Sequence, residues 1–182
     1  KGSSVLVTGG AGGVGHYAIQ FAKARGATVL TTISGDAKAD LARKAGADHC
    51  INYRTENVGE RVMAATAKKG VDAVIDMDFS SNAKLAPAIL HPRSRFVVYG
   101  NSQPEATIPS QFMLTNFIGI QYIFVYELTA QERASAVNGI NKMLEGKSLI
   151  NNVALTLPLA EIHAAHEAVE QGKALGNVVV TL

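Results

Sequence analysis

The stretch Val5-Leu-Val-Thr-Gly-Gly-Ala-Gly-Gly-Val-Gly15 constrains the fold of this chain more than any other part of it. A short apolar run enters a glycine-rich turn, and the residues that follow, 14–25, carry helical periodicity. Gly10, Gly12 and Gly15 stand at the G-x-G-x-x-G spacing, which has a mechanical reading. One glycine makes a tight turn, one lets the backbone approach a pyrophosphate, and one packs helix against strand. The helix then offers free N–H groups and the positive end of its dipole to the anion. A glycine turn by itself is weak evidence. Its place between strand and helix, with a second strand reading at 28–33 about 20 residues on, points to a dinucleotide site.

The rest of the chain repeats the alternation. Strand-like runs at 5–8, 28–33, 50–52, 73–76, 95–99 and 119–125 are separated by helical patterns at 14–25, 37–45, 58–67 and 83–90. Strands joined through helices need crossover connections, hence a parallel sheet. Six of them predict an α/β, doubly wound Rossmann sheet with its ligand in the crevice at the carboxyl ends of the strands.

Composition excludes other classes. The 182 residues, 47% of them hydrophobic, suit one domain or slightly more with a core covered on both faces. No run reaches membrane-span length and no signal-like leader is read, so a cytoplasmic protein without a membrane partner is expected. A net charge of +2 with scattered lysines gives no nucleic-acid surface. The single cysteine, Cys50, cannot form an internal disulfide or a metal cluster and reads as a buried structural thiol.

The second strand bears on which nucleotide binds. Chains that prefer NAD usually place a carboxylate there for the ribose 2′-hydroxyl, and it would repel a 2′-phosphate. Here the run is Thr31-Thr-Ile-Ser-Gly-Asp-Ala-Lys38: hydroxyls at the strand tip and Lys38 one turn into the next helix, able to reach back. Asp36 reads as a dipole partner at a helix start or as a ribose ligand; Lys38 reads as a phosphate ligand or a solvated helix lysine. The pattern favours NADP(H).

Several blocks together resemble the medium-chain dehydrogenase/reductases, most of all the quinone oxidoreductase branch that includes zeta-crystallin. They are Thr8-Gly-Gly-Ala-Gly-Gly-Val-Gly15, Lys44-Ala-Gly-Ala-Asp-His-Cys-Ile-Asn-Tyr53, Gly70-Val-Asp-Ala-Val-Ile-Asp76, Phe96-Val-Val-Tyr-Gly-Asn101 and Leu159-Ala-Glu-Ile-His-Ala-Ala-His-Glu167. The resemblance implies that Gly12, Gly13 and Val14 face the pyrophosphate, Ser34 and Lys38 the 2′-phosphate, and Tyr53 the adenosine. It places Met77, Asp78, Tyr99, Gly100 and Asn101 along the ribose and nicotinamide, and Ile123, Phe124 and Val125 against the nicotinamide. It further implies a Rossmann domain at 1–148 and a strand-helix-strand tail, 149–182, that belongs to a GroES-like catalytic domain absent from this sequence. It also puts the strand from Ile118 to Val125 at the sheet edge. Long, apolar and free of proline, that strand is expected to pair two copies into a homodimer.

Two stretches depart from the family pattern. Asp76-Met-Asp-Phe-Ser80 lacks the usual small residue and glycine, and Gly176-Asn177 stands where many members have Gly-Lys, with Lys173 able to substitute. The turn also fits short-chain dehydrogenases, but Tyr17, Tyr53, Tyr99, Tyr122 and Tyr126 all lack the lysine four positions on that would activate them. His163 and His166 read as helix-surface or interlobe residues, not a metal pair; His16 reads as a phosphate contact or as a cap or solvent group; His49, His91 and the acids at 56–60 have no identifiable partner. No catalytic residue and no metal ligand is assigned. The expectation is a zinc-independent NADPH-dependent oxidoreductase passing hydride to a quinone-like or enone acceptor. Alternatives are a zinc-dependent alcohol dehydrogenase-like enzyme or an enoyl or alkenal reductase, or a non-catalytic NADPH-binding module.

Overall fold

The computed structural model describes residues 2–172 and 174–182, so the expectation placed on Lys173 lies outside the described residues. Six strands form one parallel sheet: β1 (Ser4–Val7), β2 (Thr28–Ile33), β3 (His49–Asn52), β4 (Val71–Asp76), β5 (Leu90–Val98) and β6 (Gly119–Tyr122). Their order is β3-β2-β1-β4-β5-β6, the doubly wound Rossmann arrangement, with the reversal of winding between β1 and β4. Helices α1 (Gly13–Ala24), α2 (Asp36–Lys44) and α3 (Val58–Ala65) make the first crossovers.

Alternation along each strand sends side chains to opposite faces, and both faces are covered, so the middles of the central strands are mainly apolar. Leu6, Leu30, Val74 and Phe96 pack with Val62 and Phe79 on one face. Val7, Val29 and Ile33 pack with Ile19, Ala39 and Ala42 on the other. The Phe79 and Phe96 rings meet edge to face at 5.2 Å, both almost fully buried. Each contributes about 1.5–3 kcal/mol by leaving water.

Three local expectations need correction. The helix read at 83–90 begins earlier and is broken: α4 (Phe79–Asn82), a single 3-10 turn, then α5 (Ala86–Ile89), with Pro87 supplying no N–H for a continuous ladder. Leu90 already belongs to β5, whose pairing with β4 skips from Leu90 to Arg95 opposite Val71 and Ala73. The strand read at 119–125 stops at Tyr122: the Ile123 amide still donates to the Val98 carbonyl at 2.8 Å, after which Val125–Glu127 turns as 3-10 helix. Two helices had no counterpart in the sequence reading, α6 (Ser110–Thr115) and α7 (Ala130–Glu145).

The tail follows the strand-helix-strand reading: β7 (Val153–Pro158), α8 (Ile162–Glu170) and β8 (Asn177–Thr181), with β7 and β8 parallel in a separate two-stranded sheet. A sheet of two strands is marginal alone, and Ala165 is the one buried residue of α8. Among the described residues no helix is long and apolar enough to cross a membrane.

Candidate functional site

The glycine turn is built by hydrogen bonds from the ends of three strands. Thr8 donates its backbone N–H to the Ile75 carbonyl, while Gly9 and Gly10 donate to the Oγ1 and the carbonyl of Thr32 at 3.1 and 3.2 Å. Gly9, not Gly10, takes the left-handed conformation of the tight turn, with φ +68°. Gly10 is needed for contact: a Cβ there would strike Thr31 Oγ1. Gly15 is needed for packing, since its Cβ would lie 2.3 Å from the Gly9 carbonyl oxygen. Gly12 is the N-cap of α1; no side chain caps the helix and its first turn holds no acid. Gly12, Gly13 and Val14 are exposed, so the orphan amides of α1 open toward solvent and favour an anion.

A cavity of about 820 Å³ runs from this turn along the carboxyl ends of the strands. Gly12, Gly13, Ser34, Lys38, Tyr53 and Met77 line it, together with Asp78. Ser34 follows β2 directly, and Lys38 lies in the first turn of α2. Asp36 begins α2, where its charge suits the helix dipole, and stays outside the cavity walls. The cavity size and its uncapped helix end suit a dinucleotide, and its Ser34–Lys38 corner suits a phosphate.

Beside the turn, a polar network ties β1 to β4. Thr8 Oγ1 donates to Asp76 Oδ1 at 2.7 Å and accepts from the Met77 amide at 2.9 Å; Asn82 Nδ2 donates to the same carboxylate oxygen at 2.8 Å. Asp76 is fully buried. Burial and then the charge of Asp76 push the Tyr99 phenol up to about 12, so it remains protonated. Asp78 accepts from Ser80 Oγ at 2.5 Å and from the Ser102 amide and hydroxyl at 3.0 and 2.9 Å. Burial raises its pKa, but these donors and Ser81 outweigh burial and hold the carboxyl far below the ordinary range. Asp78 is therefore a fixed negative charge and acceptor in the cavity wall.

The other expected residues are not gathered there. Gly100 and Asn101 pack on the loop after β4: the Gly100 carbonyl accepts from the Phe79 amide at 3.2 Å, and Asn101 Oδ1 from the Ser80 amide at 3.1 Å. Tyr99 is half-buried beside them. Ile123, Phe124 and Val125 are exposed beyond the end of β6 and line no part of the cavity, because the chain turns away one residue after its last bond to β5. His16 neither caps the helix nor meets solvent: it is buried, with Nε2 bonded to the Ile150 carbonyl at 2.8 Å. His91 has a partner, Asp72, at 3.2 Å, and Glu56 pairs with Arg61 at 2.9 Å. Cys50 is half-buried, and burial raises its thiol pKa.

One wall escaped sequence reasoning. Gly172, Ala174, Leu175 and Gly176 of the tail line the same cavity, and Asn177 Oδ1 comes within 3.6 Å of where a Gly13 Cβ would stand. The Gly176-Asn177 pair was visible as a departure from a pattern, yet nothing local in it revealed which side of the site it would cover.

Residues 13–141 match the family described as zinc-binding dehydrogenase. A 2-haloacrylate reductase from Burkholderia sp is 30% identical over 187 residues, covering 98% of this chain and 55% of its own length. An NAD-dependent alcohol dehydrogenase from Saccharolobus solfataricus is 28% identical over 186 residues, covering 97% of this chain and 50% of its own. The Escherichia coli quinone oxidoreductase solved with NADPH superposes with TM-score 0.81 at 28% identity, covering 99% of this chain and 57% of that one. The chain thus spans about half the length of the relatives it matches. These relatives are oxidoreductases, and with the strand order and the glycine turn they place the chain: it belongs to the zinc-binding dehydrogenase family, as a Rossmann coenzyme-binding region of the medium-chain dehydrogenase/reductase superfamily.

Proposed function

We propose that this chain binds NADP(H) and forms the coenzyme half of an oxidoreductase that reduces a quinone-like or enone acceptor. The observation that carries the reading is the shared cavity: the uncapped amino end of α1 and the Ser34–Lys38 corner open into one space, with no carboxylate at the tip of β2. The relative solved with NADPH supports the same cofactor, and the relative whose name is 2-haloacrylate reductase supports an electron-poor double bond as an acceptor class.

In this reading the amides of Gly12, Gly13 and Val14 hold the pyrophosphate, with Gly10 and Gly15 shaping the turn. Ser34 and Lys38 hold the 2′-phosphate, Lys38 through a charge-assisted contact that NADH would lack. Tyr53 flanks the adenosine; Met77 and Asp78, backed by Tyr99, Gly100 and Asn101, lie along the nicotinamide side. A bound reduced nicotinamide would supply the hydride. The chain's own part is to hold and orient that ring and exclude water from it. Residues 1–148 form the coenzyme domain, and 149–182 return to a catalytic domain that builds the other wall of the acceptor site. Two copies pair through β6.

Fluorescence titration with NADPH and NADH tests the reading. NADPH is expected to bind at least tenfold more tightly, roughly the worth of one charge-assisted contact. Equal affinity, or no binding of either, overturns it. With an added benzoquinone or cyclohexenone the chain should show no saturable turnover, because the acceptor lacks its second wall; robust turnover would refute the division at 148.

A further inference from the structure

Helix α1 does more than present its amino end. His16 and Gln20, one turn apart on the same face, both grip the main chain of Ile150. His16 Nε2 lies 2.8 Å from the Ile150 carbonyl, and Gln20 Nε2 donates to that carbonyl at 3.0 Å. Gln20 Oε1 accepts from the Ile150 amide at 2.7 Å, and Tyr17 donates to Asn151 Oδ1 at 2.9 Å. Because a carbonyl only accepts, His16 carries its proton on Nε2. Both His16 and Gln20 are buried, an expensive place for polar side chains with no further task.

The grip is passed on to the cavity. Asn152, two residues past the gripped carbonyl, accepts from the Asn177 amide at 2.8 Å through its own carbonyl and donates Nδ2 to the Leu175 carbonyl at 3.1 Å. Gly176 between them has φ +145°, and a Cβ there would strike the Asn152 carbonyl oxygen at 2.7 Å, so the two segments are in close contact. Asn177 in turn stands beside Gly13, its Oδ1 3.6 Å from where a Cβ would lie, at the start of the helix that carries His16 and Gln20. The contacts close a ring: α1, 150–152, 174–177, and back to the glycine turn.

The geometry points to His16, Gln20 and Tyr17 as positioning residues: a latch on Ile150 and Asn151 that sets the tail wall 174–177 over the glycine turn and so controls dinucleotide affinity. This rests on the coenzyme reading above for its ligand, though not for the latch itself. The latch acts on the pyrophosphate end of the cavity more than on the Ser34–Lys38 corner, since among the described residues no hydrogen bond joins 150–152 or 174–177 to Ser34 or Lys38.

The test uses His16→Leu/Gln20→Leu, with His16→Gln as the conservative variant that keeps a donor. Without ligand, amide hydrogen exchange at Ile150 and Asn177 should quicken in the double variant while β1 and β4 stay protected, and His16→Gln should restore part of the protection. NADPH affinity should fall about tenfold if the closed tail drops to a tenth of the population, and adenosine 2′-monophosphate affinity should change less than about twofold. If the double variant does not fold, Tyr17→Phe, at a half-buried position, should shift exchange at Asn177 in the same direction. A folded variant with unchanged exchange at Asn177, or with both ligands weakened alike, overturns the latch. Wild-type protein that binds neither ligand refutes the coenzyme reading instead, and the exchange result still decides the latch.

Discussion

Replacing Gly15 by alanine should destabilise the protein, although in most helices that exchange does the opposite. Alanine is favoured over glycine inside a helix by roughly 0.5–1 kcal/mol. At Gly15, however, the new Cβ would stand 2.3 Å from the Gly9 carbonyl oxygen and 2.9 Å from its carbon, both backbone atoms that no rotamer can move. Helix and turn must part by roughly 0.7 Å to reach even 3.0 Å, the short limit of real contacts. Overpacking of this kind costs about 1–3 kcal/mol, so the net loss should be about 0–2.5 kcal/mol with a midpoint of roughly 1.3 kcal/mol, or a Tm lower by up to roughly 10 °C. The Gly9 carbonyl also receives the Gly12 amide at 2.9 Å, so the displacement reaches the anion-binding amides and NADPH affinity should drop with stability. Gly139 in α7 is the control: nothing lies within 4 Å of its added Cβ, and Gly139→Ala should slow amide exchange along α7. Denaturant and thermal unfolding with parallel NADPH titration provide the readout. A Gly15→Ala protein as stable as wild type, with unchanged NADPH affinity, would refute the packing argument.

Lys38→Ala should weaken NADPH by about 1.5–3 kcal/mol and leave NADH nearly unchanged, measured by titration; equal losses would remove the 2′-phosphate assignment. Ile120→Pro should give a folded monomer in sedimentation: the Ile123 amide points to β5, so by alternation those of Ile120 and Tyr122 point to the free edge. A wild-type chain that stays monomeric at all concentrations defeats the dimer. Asp72 is raised by burial but lowered further by the amide and hydroxyl of Ser4 and by His91, so its folded pKa lies below the ordinary aspartate value. Its contribution to stability is therefore present above that value and lost as pH falls through the depressed one. Asp72→Asn should flatten the acid limb of Tm against pH, and an unchanged limb would show that other carboxylates set it.

What could be read without coordinates was local in origin. β1, the glycine turn and α1 are neighbours in sequence, and hydrophobic alternation with helical spacing between strands already implies a parallel, doubly wound sheet. Helix α7 went unread, although the Thr129 and Glu132 of its reciprocal capping box stand three residues apart in the sequence. Other features needed the tertiary structure. Which glycine takes the left-handed turn depends on where β1 ends, and that is set by bonds from Thr8 to Ile75 and Asp76. The early end of β6, which leaves Ile123, Phe124 and Val125 outside the cavity, depends on how far β5 continues beside it. The tail wall and the burial of His16 and Gln20 come from contacts across more than a hundred residues of chain. Periodicity records which side of an element is apolar, but not which distant element will meet it. A polar side chain such as Gln20 looks the same in sequence whether it faces water or holds another strand of backbone.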